Sequence, residues 1–84
     1  MRKSRETEDH QRLSELLRRL RRQAGLTQRD LADRLGVRQE WVSRYEVGER
    51  RLDVIELAQV AHALGTTAVE IIERLGLDQP GKDR

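Results

Sequence analysis

The sequence predicts an all-α fold of five helices within a single domain. Apolar side chains recur at the three- and four-residue spacing of amphipathic helices in successive stretches of the chain. Threonine or aspartate stands at the predicted N-cap of most of these stretches, and a glycine follows each of them. A chain of 84 residues is marginal in size without good helix packing or a partner subunit. We therefore expect a helical domain that dimerises.

The first helix is expected to begin after Thr7, a suitable N-cap, and to end at Gly25. Two acidic residues in its first turn, Glu8 and Asp9, suit the helix dipole. The charged residues before Thr7 lack an apolar anchor and predict a flexible end. A DNA-reaching arm is an open alternative for this end, although its basic residues are followed by acidic ones. The buried stripe of this helix consists of Leu13, Leu16, Leu17, Leu20 and Ala24.

The next two helices are predicted to be short and to be joined by a tight turn. Thr27 is the expected N-cap of the first, and Asp30 completes a capping box with it. Gly36 follows this helix in the position of a left-handed C-terminal residue. The second helix of the pair is expected to run over about residues 39–47 and to be closed by Gly48.

Two further helices complete the predicted domain. Asp53 and Glu56 form another capping box at the start of the fourth helix, and Thr67 opens a fifth helix that runs through Leu75. The buried stripe of the fourth helix consists of Val54, Leu57, Ala58, Ala61 and Leu64, and the apolar residues of the fifth are Val69, Ile71, Ile72 and Leu75. The predicted parts of the chain are a flexible end over residues 1–7, a domain over residues 8–77 and a flexible tail over residues 78–84.

The third helix carries an outward face that no protein core requires. At about 100° per residue, Trp41, Val42 and Tyr45 fall on one side of this helix and are expected to face inward. The opposite side carries hydrogen-bond donors, acceptors and one guanidinium, from Gln39, Glu40, Ser43 and Arg44. Glutamine can bond bidentately to adenine and arginine to guanine, and the major groove of DNA admits one helix. This pattern predicts a DNA recognition helix.

A family resemblance rests on two segments of the sequence, LTQRDLADRLG and QEWVSRYEVGERRLDVIEL. Both resemble the helix-turn-helix regulators of the Cro and phage-repressor (XRE) type. The resemblance covers roughly residues 13–75 and includes the glutamine at the head of the recognition helix and the Gly-Glu-Arg-Arg loop. It implies a five-helix, lambda-repressor-like domain whose helix-turn-helix binds double-stranded DNA. Arg38 and Glu40 depart from the small polar residues more usual at these base-contacting positions.

The helical projection of the third helix and the family resemblance together predict which residues contact DNA. Base contacts are expected from Arg38, Gln39, Glu40, Ser43 and Arg44. Phosphate contacts are expected from Gln28, Trp41, Arg50 and Arg51. Gln28 stands in the first turn of a helix, where backbone amides and the helix dipole favour an anion. The matching family positions further imply a partly buried ion pair between Arg21 and Glu46.

Charge is distributed unevenly along the chain, although the net charge is only +2. Residues 12–51 hold eleven arginines and six acidic residues, a net charge of +5, whereas residues 52–84 hold three basic and six acidic residues, a net charge of −3. The basic part contains the predicted recognition helix, which is consistent with a nucleic-acid partner. A solvated, salt-bridged surface is the alternative explanation for any single arginine.

Several classes of function are excluded by composition and spacing. The chain has no cysteine, so disulfides and Cys-ligated zinc are impossible and a reducing cytosol is the natural compartment. His10 and His62 have no partner at ligand spacing, and Ser43 has no histidine base near it in sequence. No apolar run approaches the roughly 20 residues of a membrane span, and no signal peptide is present. We expect a soluble, cytoplasmic non-enzyme without metal or cofactor.

The leading hypothesis is a sequence-specific regulator, a repressor that acts as a homodimer on a two-fold operator. Ile71, Ile72 and Leu75 are the predicted dimer interface, because they give the fifth helix more apolar surface than one domain can bury. A phage or plasmid repressor, a restriction-system controller and an antitoxin with a toxin partner are open alternatives. An interaction module of the same fold is another alternative, which the polar recognition face disfavours. RNA binding is disfavoured because both aromatic residues are expected to point inward.

Overall fold

The computed structural model describes residues 3–79, and within this range the chain forms five α-helices and no β-strand. The helices are α1 (Lys3–Gln23), α2 (Gln28–Leu35), α3 (Gln39–Glu46), α4 (Val54–Ala63) and α5 (Ala68–Arg74). The prediction of an all-α, five-helix fold is confirmed. Over the same residues, no helix is both long enough and apolar enough to cross a membrane.

Local capping contacts fix the starts of α2 and α4. The Thr27 hydroxyl accepts a hydrogen bond from the Asp30 amide at 3.0 Å, and the Asp30 carboxylate accepts one from the Thr27 amide at 2.9 Å. Asp53 and Glu56 exchange the same pair of bonds at the start of α4. Gly36 adopts the left-handed conformation (φ 70°) that turns the chain between α2 and α3. Both predicted capping boxes are therefore confirmed.

The start of α1 differs from the prediction. The helix begins at Lys3, so Thr7 lies inside it, and the assignment of Thr7 as the N-cap is wrong. No proline or glycine interrupts the residues before Thr7, and lysine, arginine and glutamate are good helix formers. The helix therefore continues on the N-terminal side of the threonine. Of the predicted flexible ends, residues 1–2 and 80–84 lie outside the described range.

The central element of the fold is α3. It packs against α1 and α2, while α2 also contacts α4, and α4 contacts α5. Val42 and Tyr45 of α3 are buried in the core, with exposed fractions of 0% and 1%. The buried apolar residues from the other elements are Leu16, Leu17, Leu31, Ala32, Leu57, Val60, Ala61, Ile71 and Leu75. The core therefore supports α3 on the side opposite its polar face.

The buried stripe of α4 is not centred where the sequence pattern placed it. Val54, predicted to be buried, is 70% exposed, whereas Val60, which the prediction omitted, is fully buried. At about 100° per residue, Val54 lies about 70° from the centre of the stripe that Leu57, Val60 and Ala61 form. It is also the first residue of the helix, so the prediction that Val54 packs in the core is wrong.

The apolar residues of α5 are divided between the core and the surface. Ile71 is fully buried and Leu75 is 7% exposed, and both lie in the core of their own chain. The expectation that one domain cannot bury them is wrong, so these two residues are not available to a partner subunit. Ile72 is half-buried and Val69 is 64% exposed, which leaves them as the apolar surface of this helix. Dimerisation itself stays a prediction.

A buried ion pair ties α1 to the C-terminal end of α3. Arg21 Nε donates to Glu46 Oε2 at 2.7 Å, and Arg21 Nη2 donates to Glu46 Oε1 at 3.1 Å. The two side chains are 8% and 1% exposed. Arg21 Nη1 donates to the Leu26 carbonyl at 2.7 Å. The bond with Glu46 raises the pKa of Arg21, although burial opposes the shift. The ion pair implied by the family resemblance is confirmed.

We expect Glu46→Gln to lower the free energy of unfolding by about 3–5 kcal/mol, because it leaves the Arg21 charge buried without a counter-charge. Urea unfolding monitored by circular dichroism measures the loss. Asp9→Asn is the matched control, since it breaks an exposed pair with Arg12 whose side chains are 30% and 50% exposed. That change should cost about 0–1 kcal/mol. Equal losses in the two variants would contradict a structural role for the buried pair.

Candidate nucleic-acid interface

The outward side of α3 is polar and accessible. Gln39, Glu40 and Arg44 are exposed, Ser43 is half-buried, and Arg38, at the N-cap of the helix, is exposed as well. The first four of these predicted base-contacting residues line one shallow depression. The fold therefore brings four of the five predicted base-contacting residues together on a single surface, where donors, acceptors and a guanidinium face solvent.

Glu49 also lines this depression, and the sequence analysis did not place it among the base-contacting residues. Its backbone amide donates to the Arg44 carbonyl at 2.8 Å, which folds the chain back beside α3. Gly48 makes the reversal possible because it has a φ of 85°, a conformation that favours glycine. The Glu49 carboxylate repels phosphate but can accept a hydrogen bond from a base amino group. The only feature of the sequence that indicated a chain reversal at Glu49 was the preceding glycine, Gly48.

Gln28 of α2 and Gln39 of α3 are linked by their side chains. Gln39 Nε2 donates to Gln28 Oε1 at 3.4 Å, and Gln28 Nε2 donates to Glu46 Oε1 at 3.0 Å. Glu46 is the carboxylate that binds Arg21. A residue predicted to contact phosphate and a residue predicted to contact bases therefore lie side by side, and the buried ion pair orients both.

Trp41 and Arg50 form a stacked pair between α3 and α4. Trp41 is half-buried and meets Tyr45 edge-on, with ring centroids 5.5 Å apart and an interplanar angle of 77°. The Arg50 Cζ lies 4.8 Å from the centroid of the Trp41 ring, within the range of a cation–π interaction. Arg50 Nη1 and Nη2 donate to the two carboxylate oxygens of Glu56 at 3.1 and 2.8 Å. The Arg50 guanidinium is thus already engaged, whereas Arg51 is exposed.

The Glu56 carboxylate serves two elements at once. Its Oε1 accepts from Arg50 Nη1 and also from the Asp53 amide at 2.9 Å, which caps α4. The bond from Arg50 lowers the pKa of Glu56, and the bond from the Asp53 amide adds to this effect. The same pairing raises the pKa of Arg50. Both groups are therefore charged at neutral pH, and the capping box of α4 holds the arginine that covers Trp41.

The turn after α3 is braced from α1 by His10. Its Nε2 lies 3.2 Å from the Gly48 carbonyl oxygen. The sequence analysis read His10 as an ordinary helix residue, and a separation of 38 residues leaves no local signal for the contact. Among the described residues, no group of histidine, cysteine, aspartate or glutamate could hold a metal ion. His10 therefore has a packing role in this structure.

The Tyr45 hydroxyl is buried and has no hydrogen-bond partner within residues 3–79. Burial raises the pKa of Tyr45, and the neighbouring Glu46 carboxylate raises it further. The phenol is therefore neutral across the physiological range and cannot serve as a base. Its role is to supply aromatic bulk beneath Trp41 and the polar face of α3.

Comparison with protein families places this arrangement among known domains. The helix-turn-helix family HTH_3 matches residues 17–71, a range that contains α2, α3 and α4 in full. The chain is also similar to the uncharacterized HTH-type transcriptional regulator y4dJ of Sinorhizobium fredii (strain NBRC 101917 / NGR234). The two are 44% identical over 54 residues, which are 64% of this chain and 70% of that protein.

Two solved structures share the fold. An XRE-family like protein from Pseudomonas syringae pv. tomato str. DC3000 is 40% identical with a TM-score of 0.85, over 93% of this chain and 95% of that one. The clp gene regulator ClgR from Corynebacterium glutamicum is 28% identical with a TM-score of 0.72, over 83% of this chain and 73% of that one. The first of these matches extends over nearly the whole chain, beyond the helix pair that carries the polar surface.

The Arg50–Glu56 pair predicts how stability depends on pH. Because the folded pKa of Glu56 lies below its ordinary value, the pairing stabilises the protein fully above that value, about 4.3. The stabilisation is lost as the pH falls through the folded pKa. The difference in unfolding free energy between wild type and Glu56→Gln should therefore be constant near neutral pH and shrink at acid pH. Urea unfolding as a function of pH measures it.

An Arg50→Gln background provides the control for this prediction. The bond from Arg50 is the largest cause of the lowered Glu56 pKa, so its removal should take away most of the pH dependence. An unchanged pH dependence in that background would mean that the Asp53 amide, rather than Arg50, controls the pKa of Glu56.

Proposed function

Because this chain belongs to the helix-turn-helix family HTH_3 and is a DNA-binding transcriptional regulator, we propose that it is a repressor that occupies a two-fold operator as a homodimer. The XRE-type resemblance seen in the sequence is confirmed by the matches. The observation that carries the proposal is the exposed polar face of α3, held on a helix whose opposite side places Val42 and Tyr45 in the core. A protein bound over a promoter blocks access to it, which is the simplest route to repression.

We assign base reading to the residues that line the depression on α3. Gln39 carries the donor and acceptor that match adenine in the major groove, and Arg44 carries the fork that matches guanine. Glu40 and Glu49 can accept from the amino group of cytosine. Ser43 is half-buried between them and suits a single contact to a base or a phosphate. Arg38, exposed at the N-cap, completes the set that the family pattern predicts.

We assign phosphate contacts to the first turn of α2 and to the turn after α3. Gln28 stands where the amides and dipole of α2 favour an anion, and Trp41 lies at the edge of the polar face. In the turn, Arg51 is exposed and suited to a phosphate. Arg50 was expected to share this role, but its two terminal nitrogens are bound to Glu56, so we assign it to holding Trp41 and the turn in place.

We propose that the dimer forms through the exposed side of α5. Val69 and Ile72 are three residues apart and share a face of this helix, and they are its remaining apolar surface. A two-fold dimer would place the two recognition helices about 34 Å apart, one turn of DNA. The antitoxin and interaction-module alternatives gain no support from the contacts of the described residues, and the polar face of α3 disfavours the second.

Base contacts and phosphate contacts should respond differently to mutation. Gln39→Ala should weaken binding to a site selected from random DNA by about 1–3 kcal/mol while leaving binding to unrelated duplex nearly unchanged. Arg51→Ala should weaken both duplexes alike and reduce the slope of log affinity against log salt by about one. Fluorescence anisotropy over a series of salt concentrations measures both effects. If the two variants behave alike, the assignment of their roles is wrong, and if no duplex binds, the proposed function is wrong.

The dimer can be tested with two exposed valines. Val69→Glu should shift sedimentation toward the monomer and reduce binding to a two-fold site to that of a half-site, because it puts a charge into an apolar interface. Val54→Glu is the matched control, since Val54 is exposed to a similar degree, 70% against 64%, but lies on α4. If Val54→Glu produced a monomer and Val69→Glu did not, the dimer interface would have to be assigned to α4 instead of α5.

A further inference from the structure

The outward face of α1 carries an arginine cluster that the interface described above does not use. Arg18, Arg19 and Arg22 are exposed and line one open depression along the helix. We call these three residues the arginine patch. Glu15 is the one acidic residue that lines the same depression, and Gln23 completes it. The patch therefore carries an excess of positive charge.

The arginines of the patch form no ion pair within the described part of the chain. Their side chains form no hydrogen bond within residues 3–79 either. The other arginines of α1 in that range with described side chains do: Arg12 donates to the Leu75 carbonyl at 2.9 Å, and Arg21 binds Glu46. Arg18 and Arg22 are four residues apart on a helix, a spacing at which like charges repel and destabilise it. An anion from outside the chain would relieve this repulsion.

The patch has a fixed position relative to the recognition helix. Arg21 points toward α3, because it binds Glu46 there. At about 100° per residue, Arg18 and Arg22 lie about 60° and about 100° around α1 from Arg21, on the side away from Leu17 and Leu20. They therefore project away from the core. The buried ion pair between Arg21 and Glu46 joins α1 to α3, and so links the helix that carries the patch directly to the recognition helix.

We propose that the arginine patch binds the phosphate backbone of the duplex that flanks the half-site read by α3. Guanidinium groups match phosphate oxygens bidentately, and a row of them along a helix suits a row of phosphates. The last residue of the patch, Arg22, is the penultimate residue of α1, so the patch is close in sequence to the first turn of α2, which is assigned to phosphate. This inference rests on the proposed function. The inference goes beyond the proposed function because it assigns DNA contacts outside the half-site. These contacts are made by α1, which is not part of the helix-turn-helix pair.

A comparison of two duplex lengths tests the proposal. One duplex carries a site selected from random DNA and ends at its edges, and the other extends it by about eight base pairs on each side, most of a turn of about 10 base pairs. The wild type should bind the longer duplex more tightly and with a steeper dependence on salt. Arg22→Gln should reduce that slope by about 0.9 on the long duplex, and Arg18→Gln with Arg22→Gln by about 1.8. On the short duplex, the variants and wild type should have equal slopes.

Arg74→Gln is the matched control, because Arg74 is an exposed arginine near the end of α5 and its loss changes the net charge equally. It should leave both slopes unchanged. Glutamine is a good helix former, and removing the repulsion should leave the urea midpoint of the patch variants unchanged or raised. Equal slopes for patch variants and wild type on the long duplex would overturn the proposal while leaving the proposed function intact. The proposal would also be overturned if the protein self-associated in a salt-sensitive way and the patch variants abolished this self-association without changing DNA binding. Absence of binding to either duplex would overturn both.

Discussion

The Glu46 carboxylate is the point on which the arrangement of the first three helices depends. Its Oε1 accepts from Arg21 of α1 and from Gln28 of α2, and it lies at the last residue of α3. Through Gln28 the same network reaches Gln39, the first residue of the recognition helix. Burial of an ion pair is unfavourable unless both oxygens are bonded, and here they are. The surface that we propose to meet DNA is therefore held in place by contacts within the fold, which lowers the entropy lost on association.

The recognition helix is the least self-sufficient element of the fold. The N-cap residue of α3, Arg38, makes no side-chain capping bond, whereas α2, α4 and α5 each start with one. Eight residues are also too few for an isolated helix to be stable in water. Its N-cap position is occupied by Arg38, whose guanidinium cannot accept a capping hydrogen bond but is suited to reading bases. The structure compensates with long-range contacts at both ends, from Arg21 to Glu46 and from Arg50 to Trp41.

Sequence reasoning succeeded where the determining contact is local and failed where it depends on the packing of distant elements. The Thr27 and Asp53 capping boxes join residues three positions apart, so pattern alone predicts them. The Arg21–Glu46 pair came from family resemblance, because periodicity does not identify which surface arginine becomes buried. The engagement of Arg50 by Glu56 was missed, since it links a loop to a helix start. Ile71 and Leu75 were predicted to lie in a dimer interface because the sequence shows that α5 is apolar. It does not show that α4 packs against α5.

The arginines with described side chains include two groups with different physical roles. In one group, Arg12 and Arg34 donate to carbonyls near the ends of α5 and α4, while Arg21 and Arg50 bind carboxylates, so all four hold elements together. A second group of exposed arginines lies on α1, on α3 and in the turn after α3. The charge is also unevenly placed, because residues 12–51 carry a net charge of +5, whereas residues 52–84 carry −3. A net charge of +2 therefore understates the positive field at this surface, and it is the field near the DNA that governs attraction to phosphate.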